Sequence, residues 1–219
     1  ETIPVGNGIP LGIERVTSAD LRIGGAYGSW GESYDNAALL DFVERHLDEA
    51  LSGEDKMDLS ALGFDQRHHI SELSDEQHLA AEVRVGARFL SEAAHACGWE
   101  TGEVEAVLVG MSGPASPDYL ELASQQAGIP DEALKVSVHK ACDGSVGALN
   151  LALNPHIEAT KQIGRNLAEE LLGKKVLVGG IEGLSRFIAS ARDKYALQLF
   201  GNGAGIIGLI PGQTMQFLV

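Results

Sequence analysis

One cysteine lies at the junction of a predicted strand and a predicted helix. Before Cys142, residues 135–139 alternate apolar and polar side chains with the period of an extended strand. After it, apolar residues recur at helical spacing from Val146 to Leu153. The positive end of a helix dipole can lower a cysteine pKa from about 8.5 to roughly 3.5–7.5. Most free cysteines only fill buried space, but a thiolate is a nucleophile, so we predict that Cys142 is catalytic.

The elements that must position this cysteine follow from capping residues and apolar spacing. Ser74 and Gln77 predict a capping box that opens a long helix, which ends near Gly98. Further helices are predicted after Asn36, from Ser116 and over residues 157–172. Strands are predicted over residues 20–27, 105–110, 135–139, 176–180, 195–200 and 205–210. Strands that alternate with helices indicate an α/β layered fold.

Four segments occur in the order in which one enzyme superfamily carries them. They are LGFDQRHH (residues 62–69), ACDGSVGAL (141–149), KKVLVGGIEGLSR (174–186) and LFGNGAGIIGLIPG (199–212). Together they resemble the thiolase superfamily, in the version of the beta-ketoacyl-ACP synthase III enzymes, over about residues 20–212. In those enzymes an Ala-Cys-x-Gly run carries the nucleophile, and the glycine-rich segment usually has Asp where this chain has Asn202.

The resemblance implies a thiolase-like layered α/β fold, αβαβα when complete. This chain would then be the nucleophile-bearing half, with a mixed five-stranded sheet and a buried nucleophile helix. We divide the sequence into an N-terminal arm, residues 1–18, which is rich in Gly and Pro and could hold a short strand over residues 12–16, and a half domain, residues 19–219.

The resemblance also implies a reaction. The Cys142 thiolate would attack an acyl thioester of coenzyme A or acyl carrier protein, and Claisen condensation or acyl transfer would follow. No cofactor is expected besides this thioester substrate. Two alternatives stay open: a 3-hydroxy-3-methylglutaryl-CoA synthase-like condensation, and a non-catalytic structural subunit of a thiolase-fold heterodimer. A scaffold has no need of a thiol at a helix start, so we favour an enzyme.

Enzymes of this type pair their cysteine with a His and an Asn from a second half. These two residues cannot be assigned to any position up to Val219, inside an apolar segment, QTMQFLV, which looks like a strand. We therefore expect that a second polypeptide, a homologous subunit in a homodimer or heterodimer, or a continuation of this chain completes the site.

Two residues near the nucleophile are predicted to contact substrate. Ser116 precedes Pro117 at the position where the resembled enzymes carry an aromatic gate residue, and its small side chain implies a roomier acyl pocket. Asp143 follows Cys142 and either orients substrate or serves only as a favourable acid at a helix start.

Two glycines are predicted to approach Cys142 through a turn. Gly203 and Gly205 lie between the strands predicted over residues 195–200 and 205–210, where a positive φ would exclude any side chain. Together with Gly208 they also match a dinucleotide-binding pattern, but that pattern requires a following helix. The apolar run from Ile206 predicts a strand instead, so we do not expect nucleotide binding.

Composition bounds the remaining possibilities. The net charge of −15 over 219 residues argues against nucleic acid binding, and it requires any docking patch for anionic carriers to be local. No apolar run reaches the roughly 18–20 residues of a membrane span. Two cysteines give no disulfide framework, which favours the cytoplasm. His68, His69 and His78 lack the spacing of a metal site.

Overall fold

The structure is a computed structural model, and it describes residues 8–19, 23–70, 73–157, 163–188 and 192–215. The strands are β1 (Leu11–Ser18), β2 (Ile23–Trp30), β3 (Glu32–Asp35), β4 (Gln66–His69), β5 (Ala106–Met111), β6 (Leu134–His139), β7 (Val176–Gly183) and β8 (Asn202–Leu209). The helices are α1 (Asn36–Leu47), α2 (Asp75–Ala96), α3 (Tyr119–Ala127), α4 (Gly144–Leu153), α5 (Leu167–Glu170), α6 (Leu184–Ile188) and α7 (Lys194–Leu199). Parts of four predictions lie outside the described residues: the start of the arm over 1–18, the start of the strand over 20–27, the middle of the helix over 157–172, and the end of the QTMQFLV segment.

Six strands form the main sheet, in the order β1-β2-β8-β7-β5-β6. The central strand β5 pairs in parallel with β6 and β7, and the other pairings are antiparallel. The sheet thus has one strand more than the five that the resemblance implied. The additional strand is β1, which lies in the predicted arm. It joins the sheet because Leu11 is buried and Ile13 packs against the core. β3 and β4 form a separate antiparallel pair.

Helices cover both faces of the sheet, and β5 shows how the sequence specifies this. All six of its residues are buried. Val107 and Val109 belong to the core cluster that includes residues of α2 and α3. Ala106 and Leu108 belong to the cluster that includes residues of α4. A strand buried on both faces needs a continuous apolar run, which is what residues 106–109 provide.

The helix boundaries follow from local capping. The predicted capping box of α2 is confirmed, since the Gln77 amide donates to the Ser74 side chain and Gln77 Oε1 accepts from the Ser74 amide. α1 is capped by Asp35 rather than by Asn36. The Asn36 side chain instead donates to the Phe64 carbonyl at 2.7 Å. α3 begins at Tyr119, three residues after the predicted start at Ser116.

The strand prediction over residues 195–200 is wrong, because this segment forms α7. The Asp193 side chain caps the helix by accepting from the Tyr195 and Ala196 amides at 2.9 and 3.0 Å. Gln198 is fully buried and donates to the Asp55 carbonyl at 2.8 Å. A short apolar run does not by itself distinguish a buried strand from a buried helix. The cap and the distant Asp55 contact decide the conformation here.

The turn predicted at Gly203 and Gly205 is also wrong, because both residues lie inside β8 and neither has a positive φ. An added Cβ would find its nearest heavy atom at 3.6 Å at Gly203 and at 3.9 Å at Gly205. The strand that was predicted from residue 205 is confirmed, and it extends back to Asn202. No helix follows these glycines in the described residues up to 215, so the dinucleotide pattern lacks its required context.

A close contact between α4 and the sheet depends on glycine. A Cβ built on Gly110 of β5 would overlap the backbone of Gly144 and Ser145 at the start of α4. On the next strand, a Cβ on Gly180 would lie 2.6 Å from the Ser145 hydroxyl. The start of α4 therefore rests directly on two strand backbones. Within the described ranges, no helix is long and apolar enough to cross a membrane.

We predict that Gly110→Ala destabilises the protein by at least about 1–3 kcal/mol, because the new methyl group overlaps backbone that cannot rotate away. Gly205→Ala is the matched control, since its methyl group meets only ordinary contacts and we expect a change within about 1 kcal/mol. Urea unfolding of the two variants measures the difference. Equal unfolding midpoints would contradict the close contact.

Candidate active site

Cys142 lies in a single 3-10 turn, Ala141–Asp143, between the end of β6 and the start of α4. Its side chain is exposed, whereas Cys97 at the end of α2 is partly buried. The predicted strand-to-helix junction is therefore present, and the thiol is accessible to a substrate. The local sequence explains the junction, because β6 ends at the polar His139, Lys140 follows it, and the small residues after Cys142 permit close helix packing.

The residue before the nucleophile has an unusual backbone. Ala141 has φ +46°, and among the described residues Asp48 is the only other non-glycine residue with a positive φ. This conformation costs an L-residue roughly 1–2 kcal/mol and persists where the surrounding structure requires it. Such residues concentrate at functional sites. Sequence reasoning missed this feature, since nothing in an alanine side chain signals a left-handed conformation.

An ion pair spans the cysteine turn. Lys140 Nζ lies 3.0 Å from Asp143 Oδ2, and the Asp143 amide donates to the Lys140 carbonyl at 3.0 Å. Both side chains are more than half exposed, so the pair adds little stability. Asp143 is therefore available at the surface beside Cys142. Its predicted contact with substrate stays a prediction.

The other three predicted residues lie on elements that adjoin the glycine contact described above: the loop that follows β5, and strand β8, which pairs with β7. Gly144 touches Gly110, whose strand β5 continues into a loop over residues 112–118, which we call the 112–118 loop. Ser116 belongs to this loop and is partly buried, and its hydroxyl accepts from the Asp118 amide at 3.3 Å. On β8, Gly205 pairs with Gly180, and Gly203 pairs with Glu182. Contact of Ser116, Gly203 and Gly205 with substrate likewise stays a prediction.

Three charged residues that sequence reasoning missed lie at this end of the sheet. Glu82 of α2 is buried, and Arg186 of α6 donates through Nε to Glu82 Oε1 at 3.2 Å. Burial raises the pKa of Glu82 to about 7, while the charge of Arg186 opposes the rise. Glu182 of β7 accepts the Ser112 amide, and burial also raises the pKa of Glu182. The sequence carried one signal for Glu82: this acidic residue stands among the apolar positions of α2, three residues before Val85.

A cleft lies beside the antiparallel pair of β3 and β4. Its volume is about 570 Å³, and it is lined by Tyr34, Phe42, Arg45, His46, His69, Ile70, Leu73, Ser185, Ile188 and Leu197. His69 comes from the LGFDQRHH segment, is 1% exposed and stacks on Phe42 with ring centroids 5.0 Å apart. Burial lowers the pKa of His69 to about 4. No group of three or more His, Cys, Asp or Glu residues in the described ranges is arranged to hold a metal ion.

Two hydrogen bonds explain why Asn202 can stand where the resembled enzymes usually carry Asp. Its Oδ1 accepts from the Ser185 amide at 3.0 Å, and its Nδ2 donates to the Trp30 carbonyl at 3.2 Å. The side chain is buried. An ionised carboxylate has no hydrogen to donate, so it would leave the Trp30 carbonyl without this partner. Asn202 thereby connects β8 to both α6 and β2.

Comparison with known proteins agrees with this geometry. No protein-family model and no curated protein matches the sequence. Solved structures do match, and they include 3-oxoacyl-[acyl-carrier-protein] synthases III and type III polyketide synthases. The predicted layered α/β class is confirmed: the chain has the thiolase-like fold.

Three of these structures illustrate the likeness. The 3-oxoacyl-[acyl-carrier-protein] synthase III from Aquifex aeolicus VF5 is 19% identical, with TM-score 0.60 over 92% of this chain and 55% of its own. The tetronic acid condensing enzyme AbyA1 is 20% identical, with TM-score 0.59 over 92% and 56%. The fungal type III polyketide synthase ORAS is 17% identical, with TM-score 0.61 over 90% and 56%. The chain thus spans slightly more than half the length of the structures it resembles.

We predict that acid destabilises the protein through His69. Its folded pKa of about 4 lies below the model-peptide value of 6.5, so only the unfolded chain takes up this proton as the pH falls from 6.5 to 4. Stability is fully present above pH 6.5, and up to about 3 kcal/mol is lost across that window. Urea unfolding at several pH values should show a weaker pH dependence in His69→Phe. His156→Gln, at an exposed histidine, is the control. An unchanged pH dependence in His69→Phe would contradict this assignment.

Proposed function

We propose that the protein is an acyltransferase of the condensing type, with Cys142 as its nucleophile. One observation carries the proposal: an exposed cysteine lies in a turn with a left-handed residue, at the start of a helix packed on the sheet, in a thiolase-like fold. The structures with this fold include a 3-oxoacyl-[acyl-carrier-protein] synthase III and a type III polyketide synthase, which supports condensing chemistry.

The first step that we propose is formation of an acyl-enzyme. The Cys142 thiolate adds to the thioester carbonyl, and the carbonyl oxygen becomes an oxyanion, for which the Cys142 backbone N–H is the proposed donor from this chain. Collapse of this intermediate breaks the bond to the carrier sulfur, and the carrier leaves as a thiol after it takes up a proton. The acyl group remains on Cys142. A carbon nucleophile from a second thioester, or another acceptor, then bonds to the acyl carbonyl carbon, and the bond to the Cys142 sulfur breaks, which releases the thiolate.

The proposal also includes the residues and the partner that would complete the active site. A His and an Asn from outside these 219 residues would activate the thiol and bind the oxyanion. The α4 surface offers a place for the group that brings them, because Val146 is 64% exposed, and Leu149 and Leu153 are only partly buried. A homodimer or heterodimer, no cofactor beyond the coenzyme A or acyl carrier protein thioester, and a cytoplasmic location belong to the same proposal.

We predict that Cys142, and not Cys97, becomes acylated and is alkylated first. Cys142 is exposed, whereas burial raises the pKa of the Cys97 thiol. Intact-protein mass after incubation with a panel of acyl thioesters should show one acyl group on the wild type and on Cys97→Ala, and none on Cys142→Ala. Iodoacetamide mapping should find Cys142 modified ahead of Cys97. Unchanged acyl loading in Cys142→Ala would refute Cys142 as the nucleophile, and no loading of the wild type with any thioester would favour a structural subunit.

We predict that residues 1–219 alone do not complete a condensation, because they provide the proposed nucleophile but no assigned His and Asn. Exposure of Val146, Leu149 and Leu153 forgoes up to roughly 1.5–3 kcal/mol for each side chain left in water, which favours association. Light scattering and a condensation assay on the purified chain test this. Val146→Lys should reduce association without lowering the chain's own stability. A stable monomer that completes condensation would show that these residues contain a whole active site.

A further inference from the structure

The 112–118 loop is held at both ends by one polar network. At its start, Glu182 accepts the Ser112 amide, and Arg186 donates through Nη2 to the Gly113 carbonyl at 3.0 Å. Just after its end, the Tyr119 hydroxyl donates to the Glu82 carbonyl at 3.2 Å. Arg186 joins these contacts, because the same guanidinium pairs with the Glu82 carboxyl. The network therefore links α2, α6 and β7 to a loop that follows β5.

The ion pair of Glu82 and Arg186 is largely buried, so each side chain depends on the other. The Glu82 side chain is 9% exposed and that of Arg186 is 17% exposed. The carboxyl packs so tightly that a Cβ on Gly183 would lie 2.7 Å from its Cδ. Removing one partner of a buried ion pair leaves the other charge unmatched, which is strongly unfavourable. Each side chain thus fixes the position of the other.

The clamped loop begins close to the strand residues that contact the start of α4. Ser112 lies two residues after Gly110, which touches Gly144 at the start of α4. Gly180, paired with Gly110, touches Ser145 and lies two residues before Glu182. The network and Cys142 therefore occupy the same end of the sheet, on adjacent strands.

We propose that Glu82 and Arg186 form a clamp that positions the 112–118 loop beside Cys142. Neither residue touches the reacting atoms in this scheme, so both are positioning residues. The effect on acylation rests on the proposed function, but the effect on the loop does not. The clamp holds when Glu82 is ionised and paired with Arg186, and it loosens when Glu82 is neutral.

The clamp should respond to pH near neutrality. The groups that face the Glu82 carboxyl are Arg186 from α6, Glu182 from β7 and Tyr119 from α3, and His78 lies one turn earlier on α2. Burial raises the pKa of Glu82 to about 7, so protonation removes the charge that pairs with Arg186 as the pH falls below that value. Loss of the Arg186 pair leaves the Glu82 carboxyl buried against Gly183, and its pKa then rises further, because the charge of Arg186 opposes the rise. The clamped state is therefore favoured by ionisation of Glu82, and it weakens by up to about tenfold per pH unit as the pH falls toward 7, with no further change well below that value.

Amide hydrogen exchange on the full-length protein tests the clamp without relying on catalysis. Between pH 8 and 6, after correction for intrinsic exchange, wild-type protection across residues 112–118 should fall by about tenfold. Glu82→Gln should show low protection at both pH values. Glu92→Gln is the matched control, because Glu92 lies on the same helix, is mostly buried and pairs with Arg15 and Arg88. Glu92→Gln should behave like the wild type.

Acylation of Cys142 provides the second measurement. We expect Glu82→Gln to slow acyl loading by about tenfold and to remove its pH dependence near 7. If Glu82→Gln does not fold, Arg186→Lys keeps the charge but cannot reach both Glu82 and Gly113, and it should give the same loop exchange. Unchanged exchange in the variant that folds overturns the clamp. Loosened exchange with unchanged loading overturns its link to Cys142. Absence of loading in the wild type counts against the proposed function, and the exchange data still decide the clamp.

Discussion

The contact between Gly110 and Gly144 is the constraint on which the rest of the site depends. It lets α4 begin directly on the backbone of β5, and Gly180 extends the same contact to β7. A side chain at Gly110 would push the helix start away from the sheet. The turn that carries Cys142 is the segment immediately before this contact, so its position follows from the absence of a Cβ.

The charged residues near the cysteine turn act through local ion pairs rather than through the net charge of the chain. The chain carries a net charge of −15. Across the cysteine turn, however, Lys140 pairs with Asp143, and at the same end of the sheet Arg186 pairs with Glu82. Exposed pairs such as the first contribute little, whereas the buried second pair constrains its surroundings. Glu182 accepts the Ser112 amide of the 112–118 loop, and Arg186, which pairs with Glu82, donates to the Gly113 carbonyl. This arrangement suits a site that needs a loop held in one place.

Much of the fold could be predicted because its signals are local. The capping box of Ser74 and Gln77 and the apolar run of β5 depend on neighbouring residues. The failures depend on distant contacts or on backbone geometry. Gln198 contacts Asp55 and thereby supports a helix where apolar spacing predicted a strand. Glu82 and Arg186 are 104 residues apart, and the left-handed φ of Ala141 has no side-chain signature.

The central claim is that the turn at Cys142 carries the acyl group in a covalent intermediate. Tandem mass spectrometry of protein quenched in acid after brief incubation with acetyl-coenzyme A tests it most directly, because the fragments locate the modification to one residue. We predict an acetyl group on the sulfur of Cys142, lost on treatment with hydroxylamine, as expected for a thioester. An acetyl group found only on lysines or on Cys97, or no acetyl group with any thioester tried, would contradict the account.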